Sequence, residues 1–127
     1  GTLELNISTC TATIDTNGKI GSCYSFASGN SIRATNVNIP INSWSVACWF
    51  YATTSSSGGH QYIVSMNTSS ASNFLFSLCL YNNKLGVRTA GSTYSGSSIS
   101  LNTWYHGAAT YNGSVLKLYC NGTLCAT

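Results

Sequence analysis

The chain has 127 residues, only 6% of them charged, and a formal net charge of +3. Ordinary soluble domains are about 25% charged, and exposed helix faces rely on Glu, Lys and Arg, so this composition excludes a protein built of long helices. Lys19, Arg33, Lys84, Arg88 and Lys117 are scattered, which excludes a nucleic-acid footprint, and no apolar run is long enough for a transmembrane helix.

At this length one domain is expected, spanning residues 1–127 and burying about two-thirds of its unfolded surface. Ser, Thr, Asn and Gly must solvate its exterior, as on the polar outer faces of β-sandwiches. No signal-peptide pattern opens the sequence. Cys48, Cys79 and Cys120 fall within apolar β patterns, where cysteine serves as a small buried hydrophobe. All six cysteines are therefore read as reduced, with Cys10–Cys23 the favoured pair if one forms, since both flank one loop. No C-x-x-C pair occurs, and no metal or cofactor is expected.

Taken in order, residues 3–14 alternate, Leu3, Leu5 and Ile7 against Glu4, Asn6 and Ser8, which predicts a half-buried strand. A turn at 15–18 leads to a strand through Ile20, Cys23, Tyr24 and Phe26. A third short strand is predicted over 31–37. Residues 45–52 are apolar on both faces: Val46, Cys48 and Phe50 on one, Ala47, Trp49 and Tyr51 on the other. That pattern predicts a central strand covered on both sides. A Ser/Gly loop at 53–59, a strand over 61–66 and a polar loop at 67–73 follow.

Residues 74–81 and 85–88 read as a hairpin across Asn82 and Asn83. A two-residue turn there sets Leu80 opposite Leu85, Leu78 opposite Val87 and Ser77 opposite Arg88, so the apolar faces agree. Residues 89–98 read as a Gly/Ser/Thr loop carrying Tyr94. The strongest pattern lies over 104–122. It comprises an aromatic-rich strand, Asn112 and Gly113 as a type I′ turn, a second strand over 115–120, and Asn121 and Gly122 as a further turn of the same kind. Short strands at regular spacing predict an all-β antiparallel sandwich or jelly roll.

Four segments in order carry a family likeness: G-K-I-G-S-C-Y-S-F at 18–26, W-S-V-A-C-W-F at 44–50, F-S-L-C-L-Y-N-N-K-L at 76–85 and W-Y-H-G-A-A-T-Y-N-G-S-V-L-K-L-Y-C-N-G at 104–122. Together they resemble the concanavalin A-like lectin/glucanase superfamily and, within it, laminin-G-like jelly-roll modules. Those modules read G-K-x-G-x-x-x-x-F and W-x-H-x-x-x-T-Y-x-G. The likeness implies a concanavalin A-like jelly roll. Such domains normally continue for several strands past the last turn, so a fragment, a short variant or a sandwich completed by another chain is expected. Ala27, Ser28 and Gly29 stand where the family often has Asp-Gly, and Gly107 where it has Val or Ile.

Glucanases of this superfamily use paired carboxylates, one as acid and one as nucleophile or base. Glu4 and Asp15 are the only acids here and sit on different elements. No catalytic residue is assigned, and a β-glucan hydrolase is the weakest alternative. Calcium sites in laminin-G relatives need several oxygen ligands; Asp15 with neighbouring Asn side chains offers too few carboxylates, so no metal is assigned. His106 shares a strand face with Trp104 and has no nucleophile or carboxylate beside it. It reads as a core histidine, and Trp44, Trp49 and Trp104 read as core. The Asn6, Asn67, Asn112 and Asn121 sequons follow from composition and turns.

The candidate ligand-binding residues are Tyr51, His60, Tyr62, Tyr81, Arg88 and Tyr94. The tyrosines lie near loops or on second strand faces and can stack on sugar rings. His60 follows Gly58 and Gly59 in a polar, solvent-exposed loop, and Arg88 flanks the set across the hairpin from Ser77. The expected function is non-enzymatic recognition of a glycan or host-surface receptor, centred on the loops at 53–61 and 89–98. The low-charge Ser/Thr/Asn/Gly surface is similar to that of phage virion or microbial surface proteins, which predicts a virion or extracellular, cell-surface location. The alternative is a structural domain assembling with neighbouring subunits or as a homo-oligomer. Neither nucleic-acid binding nor membrane insertion is expected.

Overall fold

The computed structural model describes residues 6–35, 37, 39–67, 74–89 and 92–127. Its regular structure is all β: β1 (Asn6–Cys10), β2 (Thr13–Asp15), β3 (Cys23–Ser25), β4 (Ile32–Thr35), β5 (Trp44–Tyr51), β6 (His60–Asn67), β7 (Phe74–Tyr81), β8 (Lys84–Arg88), β9 (Thr93–Ser98), β10 (Trp104–Tyr111), β11 (Leu116–Cys120) and β12 (Thr123–Ala126). The chain divides into two compact units, Gly1–Ile39 and Pro40–Thr127.

In the first unit β1 pairs antiparallel with β4, and β2 with β3. The single strand predicted over 3–14 is therefore two, and its residues 3–5 lie outside the described residues. The break has a local cause. The Thr11 N–H donates to the Ser31 carbonyl at 3.0 Å, and the Ser31 N–H donates to Thr11 Oγ1 at 2.9 Å, which anchors the chain between β1 and β2. Asp15 Oδ1 accepts the Asn17 N–H at 2.8 Å, closing the predicted turn. A Cβ on Gly18 would stand 2.5 Å from the Gly21 carbonyl oxygen, so the first glycine of the G-K-x-G segment admits no side chain.

The second unit is an antiparallel sandwich of two sheets, ordered β12-β11-β10-β5 and β6-β7-β8-β9. Leu78, Leu85, Val87, Ala109 and Leu118 are wholly buried between them. Each large aliphatic side chain so buried contributes about 1.5–3 kcal/mol. Trp44 closes the core, its ring stacked on Phe76 at 4.4 Å, and Phe50 stacks on Tyr105 at 5.9 Å. Trp44 is thus the core residue that its pattern predicts. A Cβ on Gly107 would lie 3.2 Å from the Phe50 ring and 3.3 Å from Leu78 and Leu85. The Val or Ile usual in the family has no room there.

The β7–β8 hairpin has the predicted register, Leu80 opposite Leu85, Leu78 opposite Val87 and Ser77 opposite Arg88. Asn82 and Asn83 take φ of 49° and 56°, and Asn121 and Gly122 take 49° and 80°, the paired positive values of a type I′ turn. The turn after β10 differs from expectation. Tyr111 pairs with Leu116, leaving four residues in the loop, and the Asn112 side-chain carbonyl accepts the N–H groups of Ser114 and Val115 at 3.1 and 2.8 Å. Side-chain capping by Asn112 replaces a positive φ at that position.

Two further expectations are corrected. The loop predicted over 89–98 is β9 from Thr93 onward, because β8 pairs with it and the small side chains fit closely, Gly96 lying against Cys125 and Leu118 of the facing sheet. The two-sided burial predicted for β5 does not hold: Trp44 and Phe50 are buried, while Trp49 and Tyr51 on the opposite face are 42% and 43% exposed. All six cysteines are free, with Cys79 and Cys120 buried as small hydrophobes.

Candidate functional site

The outer face of the β6-β7-β8-β9 sheet gathers most of the candidate residues. On β6, His60 and Tyr62 are two apart and share a face. The register sets His60 opposite Tyr81 and Tyr62 opposite Cys79 on β7, then Cys79 opposite Gly86 and Ser77 opposite Arg88 on β8. Strand alternation adds Lys84, opposite Tyr81, to the same face. The His60 ring stacks on Tyr81 at 4.5 Å and lies near-parallel to Tyr62 at 5.9 Å.

Arg88 Nη1 donates to the Tyr62 hydroxyl oxygen at 2.8 Å. Tyr62 belongs to β6 and Arg88 to β8, so this bond crosses over β7. Cys79 and Ser77 on that crossed strand are 0% exposed although they face outward. Burial pushes the Cys79 thiol up to about 11, with the Arg88 charge pulling the other way; the thiol is a protonated floor, not a nucleophile. Among the described residues, the buried His60 Nε2 and Ser77 Oγ have no hydrogen-bond partner. Leaving such a group unpaired costs about 1–3 kcal/mol, and each unpaired group asks for an explanation.

The loop before β6 holds the cluster in place. Ser56, only 3% exposed, exchanges bonds with the turn at 82–83: its N–H donates to Asn83 Oδ1 at 3.0 Å and its Oγ accepts the Asn83 N–H at 2.8 Å. Gln61 Nε2 donates to Thr54 Oγ1 at 3.1 Å and to the Ser55 carbonyl at 3.2 Å. The Ser/Gly segment expected to carry recognition is hydrogen-bonded to the 82–83 turn and to Gln61. His60, expected in an exposed loop, instead opens β6 half-buried.

His60, Tyr62, Tyr81 and Arg88 are thus brought together, and Tyr51 and Tyr94 are not. Tyr94 pairs with Val87, a wholly buried residue of the opposite β8 face. Tyr51 belongs to the other sheet.

Residues 26–127 match a laminin-G-like family described as the concanavalin A-like lectin/glucanases superfamily. The chain belongs to this superfamily. No curated protein and no solved structure gives a significant match. Membership supports a carbohydrate-binding or structural module in general.

This concanavalin A-like domain has a second aromatic surface, which includes Trp49, Trp104 and His106, read from the sequence as core, and Tyr51, read as a ligand-binding candidate. On the outer face of the β12-β11-β10-β5 sheet, Tyr51 pairs with Trp104 and Trp49 with His106. Their ring centroids lie 5.4 and 5.2 Å apart. Tyr119 continues the strip opposite Ala108, and Leu124, 49% exposed, lies opposite Tyr119. Trp49, Trp104 and His106 are therefore not core residues. Alternation sets them outside: Tyr105, Gly107 and Ala109 of β10 take the inner face with Phe50 of β5. A signal is present in the polar residues sharing the outer rows, Ser45 on the strand of Trp49 and Thr110 opposite Lys117. Among the described residues no group of three or more His, Cys, Asp or Glu could hold a metal ion.

Proposed function

We propose that this domain is a non-enzymatic recognition module that binds a glycan, free or on a host-surface receptor, through the outer face of the β6-β7-β8-β9 sheet. The observation that carries the reading is the convergence of His60, Tyr62, Tyr81 and Arg88 on one braced, rigid face. Aromatic rings offer stacking surfaces for the apolar faces of sugars, and the cation and buried polar groups offer directional bonds. The non-catalytic part rests on chemistry: a glycosidase needs two carboxyl groups flanking one bond, and residues 40–127 contain neither Asp nor Glu. The low-charge Ser/Thr/Asn/Gly exterior supports placement on a phage virion or microbial surface, outside the cell.

A glycan array probed with the full chain tests this. Binding is expected and is lost in Tyr81→Ala and His60→Ala variants of unchanged near-ultraviolet circular dichroism. Absence of binding by folded protein across a broad panel of microbial and host glycans would defeat the reading.

A structural, assembly role is the second reading, and the outer strip of exposed Trp49, Tyr51 and Leu124 around half-buried Trp104 favours it. Contiguous exposed apolar surface marks contact sites. Light scattering over a concentration series decides: self-association weakened by Trp49→Lys supports assembly, and a stable monomer counts against it.

A further inference from the structure

The two lateral margins of the Pro40–Thr127 sandwich differ. β10 packs against β7, β11 against β8 and β9, and β12 against β9, so β12 and β9 form one margin and β5 and β6 the other. The first is closed, with Gly96 of β9 lying against Cys125 of β12 and Leu118 of β11. The second is open. In the inner row of β5, Trp44 and Phe50 are buried, but Val46 and Cys48 between them are only half-buried. On β6, Val64 and Met66 are also half-buried, although their partners on β7, Leu78 and Phe76, are enclosed. Among the described residues β5 pairs only with β10, through eight consecutive pairs without irregularity. The other three edge strands, β6, β9 and β12, each have a register shift in their ladder. Natural edges are shielded by bulges, charges, prolines or short length. β5 has none of these over Trp44–Tyr51, and every second residue turns its backbone N–H and C=O groups to the open side.

We propose that the β5 edge accepts an extended strand from another protein, a neutral segment that is apolar at alternate positions. The added strand continues the sheet beyond β5 through backbone hydrogen bonds, and its inward side chains cover Val46, Cys48, Val64 and Met66. Alternation is required because its outward side chains join the solvent-facing row of Ser45 and Ala47. Neutrality is required because β5 and β6 contain no Asp, Glu, Lys or Arg, so a charge turned inward would be buried without a partner. The β5 strand of a second copy does not fit: its inner row is committed to its own core, with Trp44 stacked on Phe76 and Phe50 on Tyr105. Glycan recognition and assembly through the aromatic strip both use sheet faces; strand addition uses an edge and rests on neither.

Residue-resolved hydrogen–deuterium exchange of the full chain tests this with capped, soluble peptides of the same length as β5. One peptide alternates valine and threonine, a second holds the same residues in two blocks, and a third alternates lysine and threonine. With the alternating valine peptide, the β5 amides turned to the open side are expected to exchange about tenfold more slowly, while the amides of β6, β9 and β12 keep their rates. The block and lysine peptides are expected to leave every rate unchanged. Val46→Lys and Cys48→Lys should each abolish the protection. Near-ultraviolet circular dichroism identifies a variant that fails to fold, and the lysine peptide then makes the same test on the unaltered chain. Absence of protection by the alternating valine peptide, equal protection by the block peptide, or protection at a different edge overturns the inference. Slow exchange of the same β5 amides in the chain alone also overturns it: the chain then covers its own edge if the slowing is independent of concentration, and a second copy covers it if the slowing grows with concentration.

Discussion

The two outer faces of the sandwich are built from the same kinds of side chain and differ in what lies among them. On the β6-β7-β8-β9 face, histidine and tyrosine rings stand beside Arg88 and Lys84, and the Tyr62–Arg88 bond crosses over β7, whose Cys79 and Ser77 are wholly buried. On the β12-β11-β10-β5 face, Trp49, Tyr51, Trp104 and His106 form an aromatic strip whose Trp49 and Tyr51 are more than two-fifths exposed. The first arrangement joins stacked rings with a directional, charged bond, the combination on which the proposed recognition role rests. The second offers area without direction, which suits contact with another surface. Aromatic content alone does not separate these roles; the cations, the buried floor and the bracing loop do.

The broadest way to break the comparison is to remove what both faces stand on. Leu78→Ala, at a wholly buried position of the shared core, is expected to cost about 3 kcal/mol in chemical denaturation and to weaken both faces together. Gly107→Val should cost about 2 kcal/mol, because a Cβ alone already meets Phe50, Leu78 and Leu85 at 3.2–3.3 Å and the added methyls come closer still.

Alkaline pH separates the faces. The Cys79 thiol, ordinarily near 9.0, is raised to about 11 in the folded chain by burial. Below about 9 both folded and unfolded chains hold the proton, and stability is unaffected. Between about 9 and about 11 the unfolded chain loses it while the folded chain keeps it. Stability therefore falls through that window, by about 2 kcal/mol, in denaturant titrations at stepped pH. Cys79→Ala should remove most of this slope, leaving the part owed to Cys48 and Cys120, whose thiols burial also raises.

The smallest effects sharpen the contrast. Tyr62→Phe removes the acceptor for Arg88, costs about 1 kcal/mol or less, and should speed alkylation of Cys79 relative to the parent chain, read by mass spectrometry. Trp49→Ser on the opposite face should change stability by only about 0.5 kcal/mol. It should leave alkylation of Cys79 and glycan binding as they were.

Much of the scaffold is legible in the amino-acid sequence. The β7–β8 register follows from matching Leu78, Leu80, Leu85 and Val87 across a two-residue turn, since a one-residue slip would turn all of them to water. The W-x-H-x-x-x-T-Y-x-G segment is legible as β10 leading into β11 for the same local reasons. The Tyr, His and Arg cluster is legible in part, because its members are polar-tipped residues on rows opposite aliphatic ones. The strand that carries Tyr94 is not legible, because a Ser/Gly/Thr stretch gives no strand signal until a neighbour supplies the ladder. The exposure of Trp49 is hidden because β5 is apolar on both faces, and the outward, half-buried placement of Trp104 and His106 follows only from the pairing of β10 with β5. Periodicity says that faces alternate without saying which one is covered.

By itself the sequence determined the all-β class, the β7–β8 register with its two-residue turn, and the type I′ turn at 121–122, since these depend on alternation and on residues that tolerate positive φ. Tertiary structure alone decided which aromatic rows face water and that His60, Tyr62, Tyr81 and Arg88 meet over a buried β7. Those outcomes depend on sheet order and on how the two sheets pack, and both arise from contacts between residues far apart in the chain.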